Sequence, residues 1–246
     1  MRTEILYEDK SIIVVRKPAG LAVQSAGIGQ PDVVSELKSY LAKLPNAGRP
    51  GKGEPYLGIV HRLDQPVEGL LVFAKEKKAA AALTKQLSDG TLNKHYYAVL
   101  CGYPAVVEGE LVDYLRKEGS VAVAVTGKEK NFPDAKIAKL HYSILEKLDQ
   151  PMPLSLADVC IETGRFHQIR VQFAHAGWPL LGDTKYGNTT VAGTAGSPAY
   201  RGVALCAYSL EFIHPGNGKK MSFRVKPQNP AFEKFTKIPS EDIFEG

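Results

Sequence analysis

Short apolar runs rich in β-branched and aromatic residues recur along most of this chain, and only three stretches between them carry the 3.6-residue period of a helix. Ser11–Gly20, SIIVVRKPAG, reads as a buried strand that Pro18 and Gly20 close with a turn. Gly69–Lys75 and Asn93–Gly102 also read as strands, as do the runs in ELVDYL, SVAVAVT, AKIAKLHYSILEKL and LADVCI, where Ala157, Val159 and Ile161 alternate on one face. ALCAYSLEFIHPGNGKKMSFRVKP has the pattern of a hairpin turned at PGNGKK. A helix is expected over Pro31–Leu44, capped by Asp32, with Val33, Leu37, Tyr40, Leu41 and Leu44 along one face. A second is expected over Glu76–Gly90, with Ala80, Leu83 and Leu87 as its apolar seam and Lys77, Lys78 and Lys85 in water. In the third, Phe166, Ile169 and Phe173 fall at helical spacing and Gly177 offers the stop. Strands and helices mix without regular βαβ alternation, which points to the α+β class.

With 246 residues, 44% of them hydrophobic and 23% charged, the chain can bury a sizeable core as one large domain or two small ones. A net charge of +5 suits an anionic partner without demanding one. Cys101, Cys160 and Cys206 are scattered singly, which argues against a disulfide framework and against a zinc site. No segment approaches the roughly 18 uninterrupted apolar residues that cross a bilayer, and MRTEILYEDK lacks an apolar signal core. The expected location is therefore the reducing cytoplasm, away from any membrane. The Pro/Gly-rich loop Pro45–Gly58 lacks the Gly-Lys-Ser/Thr ending of a phosphate-cradling P-loop. The small-residue loop Asn188–Gly202 is of the kind that is mobile or ordered only by a ligand.

The chemistry-bearing stretch is GIVHRLDQPVEGLLVFAK, where Asp64 stands two residues after Arg62 and ahead of Gln65-Pro66. Asp in such a place is commonly turn chemistry, its carboxylate bonding nearby amides. A neighbouring cation also keeps an acid ionised, which is what a carboxylate nucleophile or base requires. Glu68, four residues on, allows a second reading, the two-carboxylate glycoside hydrolase. Lys75, Lys77, Lys78, Lys85 and Lys94 form a candidate phosphate-contacting face, which is also how a merely solvated charged face looks. His61, His167, Asp183 and Tyr186 read as structural residues that fix their loops.

HRLD, then GLLVFAK, KHYYAVLCG, ETGRFHQIRVQFAHAGWPLLGDTKYG and LCAYSLEFIHP, in that order, resemble the RluA family of RNA pseudouridine synthases. The similarity runs from ILYEDKSIIVVRKPAGL to MSFRVKP. The resemblance implies a mixed, mainly antiparallel sheet flanked by helices. It implies a single catalytic domain over 1–246, with no separate N-terminal RNA-binding domain. It matches Asp64 to the catalytic aspartate, Arg165 to the arginine that keeps that aspartate ionised, Tyr96 to the tyrosine on which the target uracil stacks, and Arg62 to a residue contacting RNA beside the opened base site. The implied activity is isomerisation of uridine to pseudouridine in ribosomal or transfer RNA by a cofactor-free, metal-free monomer.

That chemistry detaches uracil from C1′ and rejoins it through C5, with the carboxylate acting either as nucleophile at the sugar or as base at C2′. It asks for a dry pocket while the base is loose, and for an everted nucleotide, at a cost of a few kcal/mol. One departure stands out: relatives commonly carry Thr-Ser where this chain has Val67-Glu68. A second carboxylate facing Asp64 would raise its pKa, so Glu68 is expected to point away or to be accompanied by a cation. Two rivals stay open: a non-catalytic RNA-binding or ribosome-assembly protein on the same scaffold, and the glycoside hydrolase.

Overall fold

Ile12, Ile13, Val14 and Val15 are fully buried on both faces of their strand, as an unbroken apolar run demands. The structure, a computed structural model, describes residues 1–25, 27, 29–44, 54–149, 152–187 and 202–246. Most of the Pro45–Gly58 loop, and Asn188–Gly202 except Gly202, lie outside the described residues. The chain divides into two compact units, the first formed by Met1–Asn93, Ala207–Pro227 and Glu241–Gly246, the second by Lys94–Cys206 and Gln228–Ser240.

In the first unit, β1 (Glu4–Glu8) pairs antiparallel with β2 (Ile12–Lys17). β2 pairs antiparallel with β4 (Glu68–Ala74), and the two-residue β3 (Gly58–Ile59) lies on β4's other side. β10 (Leu205–Ile213) and β11 (Lys220–Arg224) form the expected hairpin, extended by a third strand, β12 (Ile243–Glu245), that the sequence pattern did not reveal. β12 is exposed throughout, so it carries no apolar signature. Two helices complete the unit. In α1 (Val33–Ala42), Asp32 caps as expected, its Oδ1 accepting from the Ser35 amide at 2.7 Å. Val33, Val34, Leu37 and Leu41 are its buried residues, and Leu44 falls beyond its end. α2 (Lys77–Ser88) buries Ala79 and Leu83 against Ile12, Val14, Val72 and Phe212 in one apolar cluster. Its flanking Glu76 makes no cap bond; the carboxylate accepts from Ser11 Oγ instead, at 2.7 Å.

The second unit is a five-strand antiparallel arrangement in the order β5 (Asn93–Cys101), β9 (Leu154–Ile161), β8 (Lys136–Leu148), β6 (Glu108–Glu118), β7 (Val121–Val125). β8, 13 residues long, closely matches the run AKIAKLHYSILEKL, whereas β6, at 11 residues, extends beyond ELVDYL into Glu108-Gly109 and Arg116–Glu118, whose polar residues add nothing to an apolar pattern. α3 (Gln168–His175) packs on β6 and β7, with Val171 against Leu115, Ala122 and Ala138. The sequence places Phe166 on this helix's seam; the structure corrects that. His167 adopts a left-handed conformation (φ 54°), the helix begins after it, and Phe166 stays 38% exposed.

Candidate active site

Asp64 sits at the start of a turn that closes by a bond from the Val67 amide to its own carbonyl at 3.0 Å. The segment before it is pinned by His61, a buried imidazole whose Nε2 accepts from the Val72 amide of β4 at 3.3 Å. The turn is also laced to the one that ends β2. Gly20 donates its amide to the Gln65 carbonyl at 2.8 Å, and the Gln65 side chain returns a bond to the Gly20 carbonyl at 3.3 Å. Gly20 is left-handed (φ 79°), the conformation that glycine adopts without strain. The result is a half-buried Asp64 beside an exposed Arg62, both on backbone that cannot swing freely.

Lys17, the last residue of β2, is fully buried. Its ammonium donates to the Pro18 carbonyl at 3.0 Å, the Leu21 carbonyl at 2.7 Å and the Gln65 carbonyl at 3.1 Å. Those three acceptors match its three protons, so the buried cation costs less than an unpaired one would. Burial still pushes its pKa down to about 7, while the negative charges of Asp64 and Glu68 pull the other way. Glu68, buried at the start of β4, is thus accompanied by a cation that also feels Asp64. Sequence reading closed this strand at Pro18 and Gly20 and gave Lys17 no role. The available signal was a lysine at the end of an otherwise unbroken apolar run, where an ammonium needs a built set of acceptors.

Tyr96 and Arg165 belong to the second unit. Tyr96 is 4% exposed on β5 and stands opposite Val159, on the face that also carries Tyr142. Tyr142 meets Phe173 of α3 edge to face, ring centroids 5.5 Å apart. Arg165 is half-buried in the turn between β9 and α3. Its amide donates to Gln168 Oε1 at 2.9 Å, and Gln168 is anchored in turn to the Lys139 carbonyl at 3.0 Å. The guanidinium Nε donates to the Ile137 carbonyl at 2.8 Å, which fixes the direction of the rest of the fork. Below that turn, Arg170 and Asp183 form a buried two-bond ion pair at 2.7 and 2.8 Å. Asp183 also accepts from the amides of Lys185 and Tyr186, so its loop-fixing role is observed directly.

The chain matches the family model described as RNA pseudouridylate synthase over residues 11–175, more than half its length. It is 37% identical over 227 residues to the ribosomal large subunit pseudouridine synthase D of Zymomonas mobilis, covering 89% of this chain and 68% of that protein. The chain belongs to the RluA family of RNA pseudouridine synthases. It is therefore an isomerase of the class that converts uridine to pseudouridine in RNA. An uncharacterized RNA pseudouridine synthase of Synechocystis is 35% identical, covering 94% of this chain and 67% of the relative. Against the synthase D of Nitrosomonas europaea the chain spans 59% of the relative's length. The solved human RNA Pseudouridylate Synthase Domain Containing 4 shares the fold, with a TM-score of 0.70 at 24% identity, covering 92% of this chain and 89% of that one.

Two further groups in the synthase differ from the sequence picture. Of the five lysines grouped as a phosphate face, Lys75 is tied to Glu8 and to the Asp9 carbonyl, and Lys85 to Asp89. Lys77 and Lys78 are exposed on α2. The sequence also offers no metal-ligand spacing, yet strand register brings Glu110, His141 and Glu162 together, their ligand atoms all within 4.8 Å of one another. These three are exposed, and the Lys139 ammonium lies 3.3 Å from Glu162 and 3.8 Å from Glu110, which accounts for the cluster as an ion-pair network.

Proposed function

We propose that this synthase isomerises uridine within structured ribosomal or transfer RNA, with Asp64 as the carboxylate that acts at the sugar and Arg165 as the guanidinium that keeps it ionised. The observation that carries this reading is the construction around Asp64. A turn that needed only a polar residue has no use for three separate tethers to the end of β2, one of them a fully buried lysine. Arg62, exposed two residues away, is suited to RNA contact. Tyr96, a buried phenol on β5, is suited to face an everted uracil in a water-poor pocket. Several relatives are named for the large ribosomal subunit, which favours ribosomal RNA as the substrate class.

In the proposed reaction the C1′–N1 bond breaks, the base turns, C5 bonds to C1′, the proton from C5 leaves to solvent, and N1 takes up a proton, so that the product is an isomer of uridine. The carboxylate serves either as nucleophile at C1′ or as base at C2′. The test follows tritium release from RNA carrying tritiated C5 uracil, with ribosomal and transfer RNA in separate arms. Release by the wild type and its loss in Asp64→Ala support the proposal. Silence on both RNAs with retained RNA binding would establish the non-catalytic reading, and free uracil among the products would establish hydrolysis.

A further inference from the structure

Phe166 follows Arg165 directly, yet it is 38% exposed while Ile169 and Phe173 on the adjoining helix are buried. An exposed phenyl ring is ordinary when it is loosely attached. This one is held. Its ring stacks on the His167 imidazole with centroids 3.8 Å apart and planes 22° apart. His167 has a left-handed backbone, a conformation that a bulky residue adopts only where its surroundings impose it. Its Nδ1 shares a hydrogen bond with the Tyr186 hydroxyl at 2.6 Å, and that hydroxyl accepts from the Ala122 amide at 2.7 Å. Tyr186 lies edge-on to His167, and the Arg170 guanidinium sits 5.2 Å from the Tyr186 ring centroid. A chain of fixed contacts thus runs from the buried Arg170–Asp183 pair out to an aromatic ring in water.

The surroundings of the ring indicate what it takes. The Lys117 ammonium lies 5.0 Å from the Phe166 centroid. Glu118, the acid next in sequence, is engaged by Arg116, so it does not neutralise Lys117. Lys185 and Lys136 are exposed on the loop and strand that flank the same helix and hairpin. A flat apolar face under a lysine ammonium is complementary to a base that carries its own phosphate. An exposed cation–π contact is weaker than a base–aromatic stack, so an arriving base displaces the ammonium from the ring. The ammonium then has the phosphate as its partner.

We propose that Phe166 is a stacking platform for an unpaired nucleotide flanking the target uridine, with Lys117 contacting that nucleotide's phosphate. This rests on the proposed function, in which Arg165, the residue before Phe166, serves the reacting carboxylate. It makes the synthase selective for uridines with an unpaired neighbour, a requirement distinct from stacking of the target base.

The test measures tritium release from RNA hairpins whose loop presents the target uridine with either an unpaired or a paired neighbour. It compares the wild type with Phe166→Leu, Phe166→Trp and Lys117→Ala, each first checked for an unchanged thermal midpoint. Phe166→Leu keeps an apolar side chain but no ring. It is expected to raise KM for the unpaired-neighbour RNA by about tenfold with a much smaller effect on kcat, and Phe166→Trp is expected to restore the wild-type KM. Lys117→Ala is expected to lower the salt slope of RNA binding by about one. A Phe166→Leu enzyme with wild-type KM on both hairpins overturns the proposal, as does a loss confined to kcat. If the wild type releases no tritium from any RNA, the proposed function fails instead. The platform is then decided by quenching of 2-aminopurine at the neighbour position, which must be present in the wild type and lost in Phe166→Leu.

Discussion

Asp64, Arg165 and Arg170 illustrate how much a single charged group depends on its immediate partners. Asp64→Asn preserves size and turn bonding while removing the charge. Tritium release is expected to fall by about 10²–10⁴-fold or more, with the thermal midpoint nearly unchanged because the tethers of the turn are backbone carbonyls and the Lys17 ammonium. Arg165→Lys keeps a positive charge but lacks the planar fork, so it cannot bond the Ile137 carbonyl through Nε and present two further nitrogens at a fixed angle. It is expected to lose most of the activity while retaining RNA binding in a filter assay. Arg170→Ala leaves Asp183 as a buried charge without its bidentate partner. The expected cost is about 3–5 kcal/mol, read as a lower urea midpoint.

At the scale of elements, β4 controls the site more than any helix does. It is buried along its whole length and begins directly after the Asp64 turn, so its register sets where that carboxylate stands. Gly69, opposite Lys17, has φ 125°, and a Cβ there would lie 2.4 Å from the Ala207 carbonyl oxygen of β10. That contact is with backbone and cannot be relieved by a rotamer. Gly69→Ala is therefore expected to destabilise the fold by about 3 kcal/mol or more, visible in a urea titration. α3 shows the converse, a boundary set by tertiary contact. The helical spacing of Phe166, Ile169 and Phe173 begins two residues too early, because Tyr186 holds His167 in a conformation that ends the helical path. Asp32, through its side-chain cap of a nearby amide, and Gly177, through its left-handed backbone, act locally by contrast and are legible as punctuation.

At the scale of the whole molecule, proton linkage follows from groups whose pKa changes on folding. Burial lowers Lys17 from 10.5 to about 7 and Lys94 to about 8, so between those values and 10.5 the unfolded chain binds more protons than the folded one. Stability therefore rises with pH through that window, and this contribution is lost as pH falls through about 7. Lys94 is partly exposed, so its share is the smaller. Cys101 acts in the opposite direction at higher pH, since burial raises it from 9.0 to about 11 and the unfolded thiol ionises first. The urea midpoint is expected to climb from pH about 7, flatten near pH 9, and climb much less in Lys17→Met.

Much was legible in the sequence because it is written in local pattern. The α+β class, the Asp32 cap, the β10–β11 turn and the separate strands all rest on periodicity and turn chemistry, which act within a few residues. The order of the motifs from HRLD to LCAYSLEFIHP pointed to the family that the comparisons then established. Only the tertiary structure decided what depends on register and burial: that Lys17 sits beneath the Asp64 turn, that β4 admits no side chain at Gly69, that Glu110 meets Glu162, and that Phe166 is displayed rather than buried. Each of these joins residues distant in sequence, and a buried charge or a left-handed histidine is stable only because the packed surroundings supply its partners.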